Sequence, residues 1–350
     1  MLNKISKGCC SIGVFVVLLG TSLGASASSL DSAGTLFSKG KEFQAARQYA
    51  NAWSFYEKAA QKNPRSELYQ LAIAEVCQTM HRMGPLVSAL EAASNIAPTN
   101  YETQAKLMKL YFDFGQYSKV IEKLPALQSK LPQTTDWAWI LGRSHYSTQN
   151  YGQAVQYLKM ALKENPKNAE AAYYLGRIMM KEENYKAAIP FYEHSLAVDT
   201  APQAARVYEL ALICATALQA DLSIKYFQKA LDLGYKPGDD FYLNMAYTLA
   251  DDHKADDALK IMRSMLDRRP GDIGLLNCLA DVCYHSGRYK ESIHYLDELM
   301  KMDMNNARAL YQIGTAYIKM GRDTEGKQLC DEAISMDPTL AVLKRAKQLM

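Results

Sequence analysis

The chain has 350 residues, of which 49% are hydrophobic and 22% charged, and this is the composition of a folded protein, not of a disordered one. Its formal net charge is +3. A charge so close to neutral gives no general attraction to nucleic acid or to an anionic membrane, so we expect neither as a partner.

The N-terminus, over residues 1–27, has the form of a secretory signal peptide. Lys4 and Lys7 make a short basic region, residues 12–19 an apolar core, and the sequence ASA, which ends at Ala27, a cleavage site. Cleavage there would remove two lysines and no acidic residue, which lowers the net charge from +3 to +1. Because the apolar run is shorter than the ~20 residues of a membrane span, the sequence predicts an exported chain, periplasmic or otherwise secreted, with no membrane span after cleavage.

After a short leader at residues 28–32, residues 33–340 carry a 34-residue period, and we predict nine units of two amphipathic helices each. A last helix, predicted at residues 341–350, would cap the array. The period is plain in four evenly spaced prolines: Pro64, Pro98, Pro132 and Pro166. Position 1 of the successive units falls near Ala33, Glu67, Tyr101, Thr135, Ala169, Ala204, Asp239, Ile273 and Ala307.

Small and large residues alternate at fixed positions of the unit. Positions 8 and 20 are mostly Gly, Ala or Ser, and position 24 is mostly large, so a small residue on one helix should face a large one on the other. Position 8 is Gly40, Ala74, Met108, Gly142, Gly176, Ala211, Ala246, Ala280 and Gly314. Position 24 is Tyr56, Leu90, Leu124, Leu158, Tyr192, Phe227, Met262, Leu296 and Cys330.

With these residues the chain resembles the tetratricopeptide repeat (TPR) family, most plainly over residues 171–199 and 307–338. The resemblance covers residues 33–340. It implies an all-α fold, a right-handed α-solenoid of tandem helical hairpins. In this family the first helix of every unit lines a concave groove, and positions 2, 5, 9, 12 and 13 point into it.

Basic and aromatic residues occupy several of these groove positions in the middle of the array. Such side chains are enriched at binding hot spots, so we take them as candidates for binding an acidic or C-terminal peptide. Aromatic residues at these positions are also common framework of the repeat, and both interpretations stay open. The candidates are Lys109, Trp139, Arg143, Tyr146, Tyr173, Arg177 and Tyr208. The adjacent Trp137 is instead predicted to pack against the preceding unit.

Two features depart from a regular array. Pro125 falls inside the second helix of the third unit, where we expect a kink and wider helix separation. One extra residue enters near Pro202 and another near Pro237, which lengthens two connections between units.

No catalytic motif or zinc-ligand spacing occurs, and we predict neither an enzyme nor a cofactor. Asp281 and His285, four apart on one helix, supply only two potential metal ligands, so no metal site is expected. The core-facing cysteines are expected to pack as small hydrophobic residues, and they are Cys77, Cys214, Cys283 and Cys330.

Two functions fit an array with no appended domain. The first is an exported interaction module that holds a peptide or protein partner in the concave groove. The alternative is a scaffold subunit of an envelope assembly, similar to the TPR components of secretion or polysaccharide-export machinery.

Overall fold

A computed structural model describes the backbone of residues 22–342 and the side chains of residues 32–342. The apolar core of the predicted signal peptide and most of the predicted capping helix lie outside these residues. The described part is all-α and contains no strand, as predicted. Its helices are α1 Ser22–Ala45, α2 Tyr49–Lys62, α3 Glu67–Thr79, α4 Met83–Ile96, α5 Tyr101–Asp113, α6 Tyr117–Leu127, α7 Trp137–Ser147, α8 Tyr151–Glu164, α9 Ala169–Lys181, α10 Tyr185–Val198, α11 Ala204–Thr216, α12 Ala220–Asp232, α13 Asp239–Asp251, α14 Ala255–Arg268, α15 Ile273–His285, α16 Tyr289–Met302, α17 Ala307–Lys319 and α18 Asp323–Met336, followed by a 3₁₀ turn at Pro338–Leu340.

The helices form two compact units. Unit one ends at Thr148 and contains α1–α7, and unit two begins at Gln149 and contains α8–α18. Within each unit consecutive helices pack as hairpins, and each hairpin packs on the next one along the chain. Each unit is therefore an α-solenoid of the predicted kind, in which a hairpin buries its apolar face against its neighbours.

Side-chain caps and left-handed turns set the helix ends. Asn168 accepts a hydrogen bond from the backbone N–H of Ala171 at the start of α9, and Asn306 does the same for Ala309 at the start of α17. Inside the hairpins the turn takes a positive φ, as at Gly321, where φ is 82°. The helices from α2 to α18 are 11–14 residues long, and these caps and turns set their ends.

The predicted pairing of small and large residues is confirmed in the hairpin cores. A Cβ atom at Gly176 would lie 2.5 Å from Cδ2 of Tyr192, so only glycine leaves room for that ring. Where position 20 is serine, its hydroxyl donates to the carbonyl at position 8 of the partner helix. The two bonds are Ser223 to Ala211 and Ser292 to Ala280, both 2.8 Å.

The third hairpin has the shortest second helix of the hairpins within residues 22–342. Pro125 lies inside α6, which has 11 residues, and Pro190 lies inside α10, which has 14. Only Val120 and Leu124 of α6 are buried. No other second helix in residues 49–336 has so few buried residues.

The cysteines of the described residues lie mostly in the core. Cys77, Cys214, Cys283 and Cys330 are buried, which confirms their packing role, and Cys278 is half-buried. Burial is the main cause that raises the thiol pKa of Cys77 and Cys283 to about 11 and that of Cys214 to about 12.

Among these five thiols, Cys278 is expected to react first with iodoacetamide under native conditions. A thiol pKa of about 11 in place of 9.0 lowers the reactive thiolate fraction at neutral pH about 100-fold, and burial blocks access as well. Peptide mapping by mass spectrometry after timed alkylation measures the order, with Cys278→Ser as control. Equal labelling of Cys77 or Cys214 at the earliest time would show that these sites are not closed.

Candidate partner-binding site

The seven candidate residues fall in both units. Unit one holds Lys109 on α5 and Trp139, Arg143 and Tyr146 on α7, and unit two holds Tyr173 and Arg177 on α9 and Tyr208 on α11.

Arg143 is held between two aromatic rings. Its guanidinium carbon lies 5.5 Å from the ring centroid of Tyr117 and 5.6 Å from that of Tyr146, and an N–H of the group donates to the hydroxyl of Ser147. All of these side chains are half-buried. Cation–π contacts of this kind fix an arginine in place without neutralising its charge.

Trp139 extends this aromatic surface. Its ring meets that of Phe112 edge to face, with 6.3 Å between centroids, and Phe112 in turn lies 6.0 Å from the ring of Tyr117. The backbone N–H of Trp139 donates to the carboxylate of Asp136 over 2.7 Å, so Asp136 caps α7. We call Phe112, Tyr117, Trp139, Arg143 and Tyr146 the unit-one aromatic surface.

Trp137 has the opposite environment, as predicted. Its side chain is 2% exposed, and its indole N–H donates to the carbonyl of Pro132 over 2.9 Å. The ammonium of Lys109 lies 6.0 Å from the Trp137 ring, which places Trp137 against the preceding hairpin.

Lys109 stands at a cavity that the sequence analysis missed. The cavity, of about 460 Å³, is lined by α3, α4 and α5 and contains four leucines together with charged residues, which are Glu75, Glu102, Lys106, Lys109 and Asp113. The cavity arises because the second repeat has Ala74 and Leu90 at the two positions where other repeats have a Gly–Tyr pair. No aromatic ring therefore fills the space. The leucines are Leu71, Leu86, Leu90 and Leu110.

In unit two, Tyr173 belongs to a buried network. The hydroxyl groups of Tyr173 and Tyr192 donate to the two carboxylate oxygens of Glu209, over 2.9 and 2.8 Å. The Arg177 Nε lies 3.8 Å from one of these oxygens, and the guanidinium carbon of Arg206 stands 4.0 Å from the Tyr173 ring centroid. Burial first, and then the Glu209 charge, raise the pKa of Tyr173 to about 12.

This network changes the interpretation of one candidate, Tyr173. Tyr173 is buried and turns its hydroxyl to Glu209, so the structure gives it a packing role where the sequence analysis offered it as a groove residue. Arg177 keeps about a third of its side chain exposed. Glu209 was not singled out from the sequence.

Tyr208 lies in a second aromatic cluster of unit two. Its ring centroid is 4.8 Å from that of Tyr235 and 5.1 Å from that of Phe241, and Asn244 donates to its hydroxyl over 3.3 Å. Tyr208 is half-buried. It therefore offers part of a ring face at the surface.

Two structural features are absent from residues 22–342. This part of the chain contains no group of three or more His, Cys, Asp or Glu residues arranged to hold a metal ion. None of the helices in the same range is both long and apolar enough to cross a membrane.

Comparison with known structures concerns the fold. The structure of Naa15/Naa10 bound to HypK-THB aligns with a TM-score of 0.50 and 14% identity over 90% of this chain and 61% of that one. The crystal structure of YrrB, a TPR protein with an unusual peptide-binding site, aligns with a TM-score of 0.40 and 19% identity over 56% of this chain and all of that one. PilW, a type IV pilus biogenesis factor, aligns with a TM-score of 0.39 and 19% identity over 59% and 95%.

Sequence comparison gives the family. No curated protein matches the sequence. Two family models, both described as tetratricopeptide repeat, match residues 141–205 and 284–349. The same helical hairpin recurs at the same 34- to 35-residue spacing in the described residues outside these matches. The chain therefore contains tetratricopeptide repeats in these two segments, and its other described hairpins share their fold.

Proposed function

We propose that this protein is an exported interaction module that binds a peptide or protein partner along the first helices of its hairpins. The observation that carries the proposal is the unit-one aromatic surface, in which a charged guanidinium is fixed between half-exposed rings. Aromatic and arginine side chains held in this way give contact area, hydrogen bonds and charge at little entropic cost.

The chemistry of this surface favours an acidic or carboxyl-terminal peptide. Arg143 can offer a bidentate hydrogen bond to a carboxylate, and Trp139 can cover an apolar side chain beside it. Lys109 forms no ion pair in the described part of the chain and adds a second positive charge next to the leucine-lined cavity. A peptide that combines acidic and apolar residues would use all three features.

Within unit two, the candidates for partner contact are Arg177 and Tyr208. Arg177 is positioned by Glu209 and keeps about a third of its side chain exposed, and Tyr208 presents part of a ring that its neighbours hold in place. Tyr173 supports Arg177 from below, with its ring 5.8 Å from the guanidinium carbon. In this proposal Tyr173 positions Arg177 and does not contact the partner.

Export rests on the signal-peptide pattern of residues 1–27, and we place the mature protein in the periplasm on that pattern. An envelope partner is consistent with this location. The alternative function, a scaffold subunit of an envelope assembly, would use other faces of the hairpins, so the two can be separated by mutating the groove alone.

The test is affinity capture from a native envelope extract with the immobilised mature chain. Lys109→Ala/Trp139→Ala/Arg143→Ala is expected to reduce capture of the bound partner at least roughly 30-fold, since hot-spot truncations cost about 2 kcal/mol or more. The matched control is Lys62→Ala/Lys130→Ala, which changes two exposed lysines of the same unit.

Circular dichroism of both variants shows whether the helical fold is kept. Undiminished capture by the folded triple variant would contradict groove binding and favour the scaffold alternative. Equal loss in the lysine control would instead assign the effect to general charge.

A further inference from the structure

One hairpin seam of unit two is open where the others are closed. Position 7 of the first helix packs under the preceding hairpin, and it is buried in α9, α11, α15 and α17. In α13 the corresponding residue, Met245, is only half-buried, and so is Tyr242 one turn before it. The apolar face of α13 is therefore left partly uncovered by α12.

The connection that precedes α13 accounts for the opening. Residues 233–238 link α12 to α13, six residues where the α8–α9, α14–α15 and α16–α17 connections have four. Within this longer link Tyr235 lies on the rings of Tyr208 and Phe241, at 4.8 and 5.5 Å. The link is thus held in place and the spacing is built into the fold.

A cavity of about 640 Å³ occupies the opening. It is lined by α13 and α14 and has a largely apolar surface, to which two methionines contribute. Methionine side chains are flexible and polarizable, and they adapt to apolar partners of different shape. We call this site the α13–α14 trough, and its apolar lining is Tyr242, Met245, Leu249, Ile261 and Met265.

Two positive charges stand at the trough without an acidic partner. Lys260 and Arg268 are exposed on α14, eight residues apart, and neither forms an ion pair in the described residues. The Arg268 Nε only donates to the backbone carbonyl of Ser264, over 3.3 Å. Asp257, the one acid in the lining, lies in the first turn of α14, where the helix dipole already favours a negative charge.

The charges also indicate what does not fill the trough. The chain ends outside the described residues, 1–21 and 343–350, contain five lysines or arginines and no acidic residue. Either end would bring like charge to Lys260 and Arg268, which opposes docking. A segment with charge complementary to Lys260 and Arg268 would be acidic and would come from another molecule.

We propose that the α13–α14 trough is a second interaction surface that binds an acidic amphipathic helix of a protein partner. An apolar stripe at i, i+3, i+4 and i+7 would lie on Tyr242, Met245 and Ile261. Acidic residues two turns apart, at ~12 Å, would meet Lys260 and Arg268. This inference goes beyond the proposed function, because it uses different helices and none of the groove residues.

The test uses two designed 18-residue helical peptides with the same leucine stripe, one flanked by glutamates and one by lysines. Fluorescence anisotropy is expected to show that the acidic peptide binds the mature chain at least tenfold more tightly than the basic one. Lys260→Glu/Arg268→Glu should weaken the acidic peptide at least tenfold and strengthen the basic one. The control, Lys290→Glu/Lys327→Glu, makes the same charge change at exposed positions of unit two and should change binding less than twofold.

Methyl NMR of the chain labelled at methionine gives the location independently. The Met245 and Met265 signals, assigned with Met245→Leu and Met265→Leu, should shift when the acidic peptide binds. The proposal is overturned if the acidic peptide does not bind, if both peptides bind equally, if the control variant loses binding as the test variant does, or if only other methionines respond.

Discussion

Replacement of Trp137 by alanine is expected to lower the free energy of unfolding of unit one by about 3–5 kcal/mol, the range for a buried large aromatic residue. The side chain is 2% exposed, so its removal leaves a cavity that the surrounding helices cannot fill completely. The variant also loses the indole donor to the Pro132 carbonyl and the ring beneath Lys109. These losses add to the cost of the cavity.

The matched variant is Trp139→Ala, two residues away on the same helix. Trp139 is half-buried and its indole ring contacts Phe112 at an edge, so the expected cost is about 1 kcal/mol. Partner capture should fall for Trp139→Ala, because this ring belongs to the proposed binding surface. The two tryptophans therefore separate stability from binding at adjacent sites.

Hydrogen exchange of the α7 amides is the appropriate measurement, together with urea denaturation followed by circular dichroism. A repeat array can unfold unit by unit, and a single global transition would hide a local loss. The assignment of Trp137 to the core would be wrong if Trp139→Ala accelerated α7 exchange more than Trp137→Ala.

The period of the sequence predicted much of this fold. Because the same frame recurs along the chain, the contact of Gly176 with Tyr192 follows from the equivalent positions in other units, without knowledge of any coordinate. The frame also placed Trp137 and Trp139 on different faces, because residues two apart on an α-helix point to nearly opposite sides of it. Local periodicity thus determines which residues meet inside one hairpin.

Contacts between hairpins were less predictable. Glu209 bonds Tyr173, which is 36 residues away, and Tyr192, which is 17 away, and nothing in a single unit marks Glu209 as their shared acceptor. The longer connection near Pro237 was visible in the sequence. Its consequence, a Met245 that is only half-buried, depends on the path of the longer connection, which the stacking of Tyr235 fixes.

Gly314→Val is expected to lower the free energy of unfolding of the α17–α18 hairpin by about 3 kcal/mol, at the upper end of the cost of overpacking. A Cβ atom at Gly314 would lie 2.7 Å from the Gly326 carbonyl oxygen, 2.7 Å from the Cys330 Sγ and 3.0 Å from the Cys330 nitrogen. Two of these atoms belong to the backbone and cannot rotate away. The helices would have to separate.

Gly152→Ala is the control for this last prediction, since no heavy atom lies within 4 Å of a Cβ added there and its helix position is exposed. Alanine should stabilise α8 by up to about 1 kcal/mol through its higher helix propensity. Hydrogen exchange of α17 and α18 in both variants gives the comparison. The two changes in stability are expected to have opposite signs, because the new side chain contacts backbone atoms at Gly314 and only solvent at Gly152. Unchanged protection of α17 in Gly314→Val would contradict the close approach of the two helices.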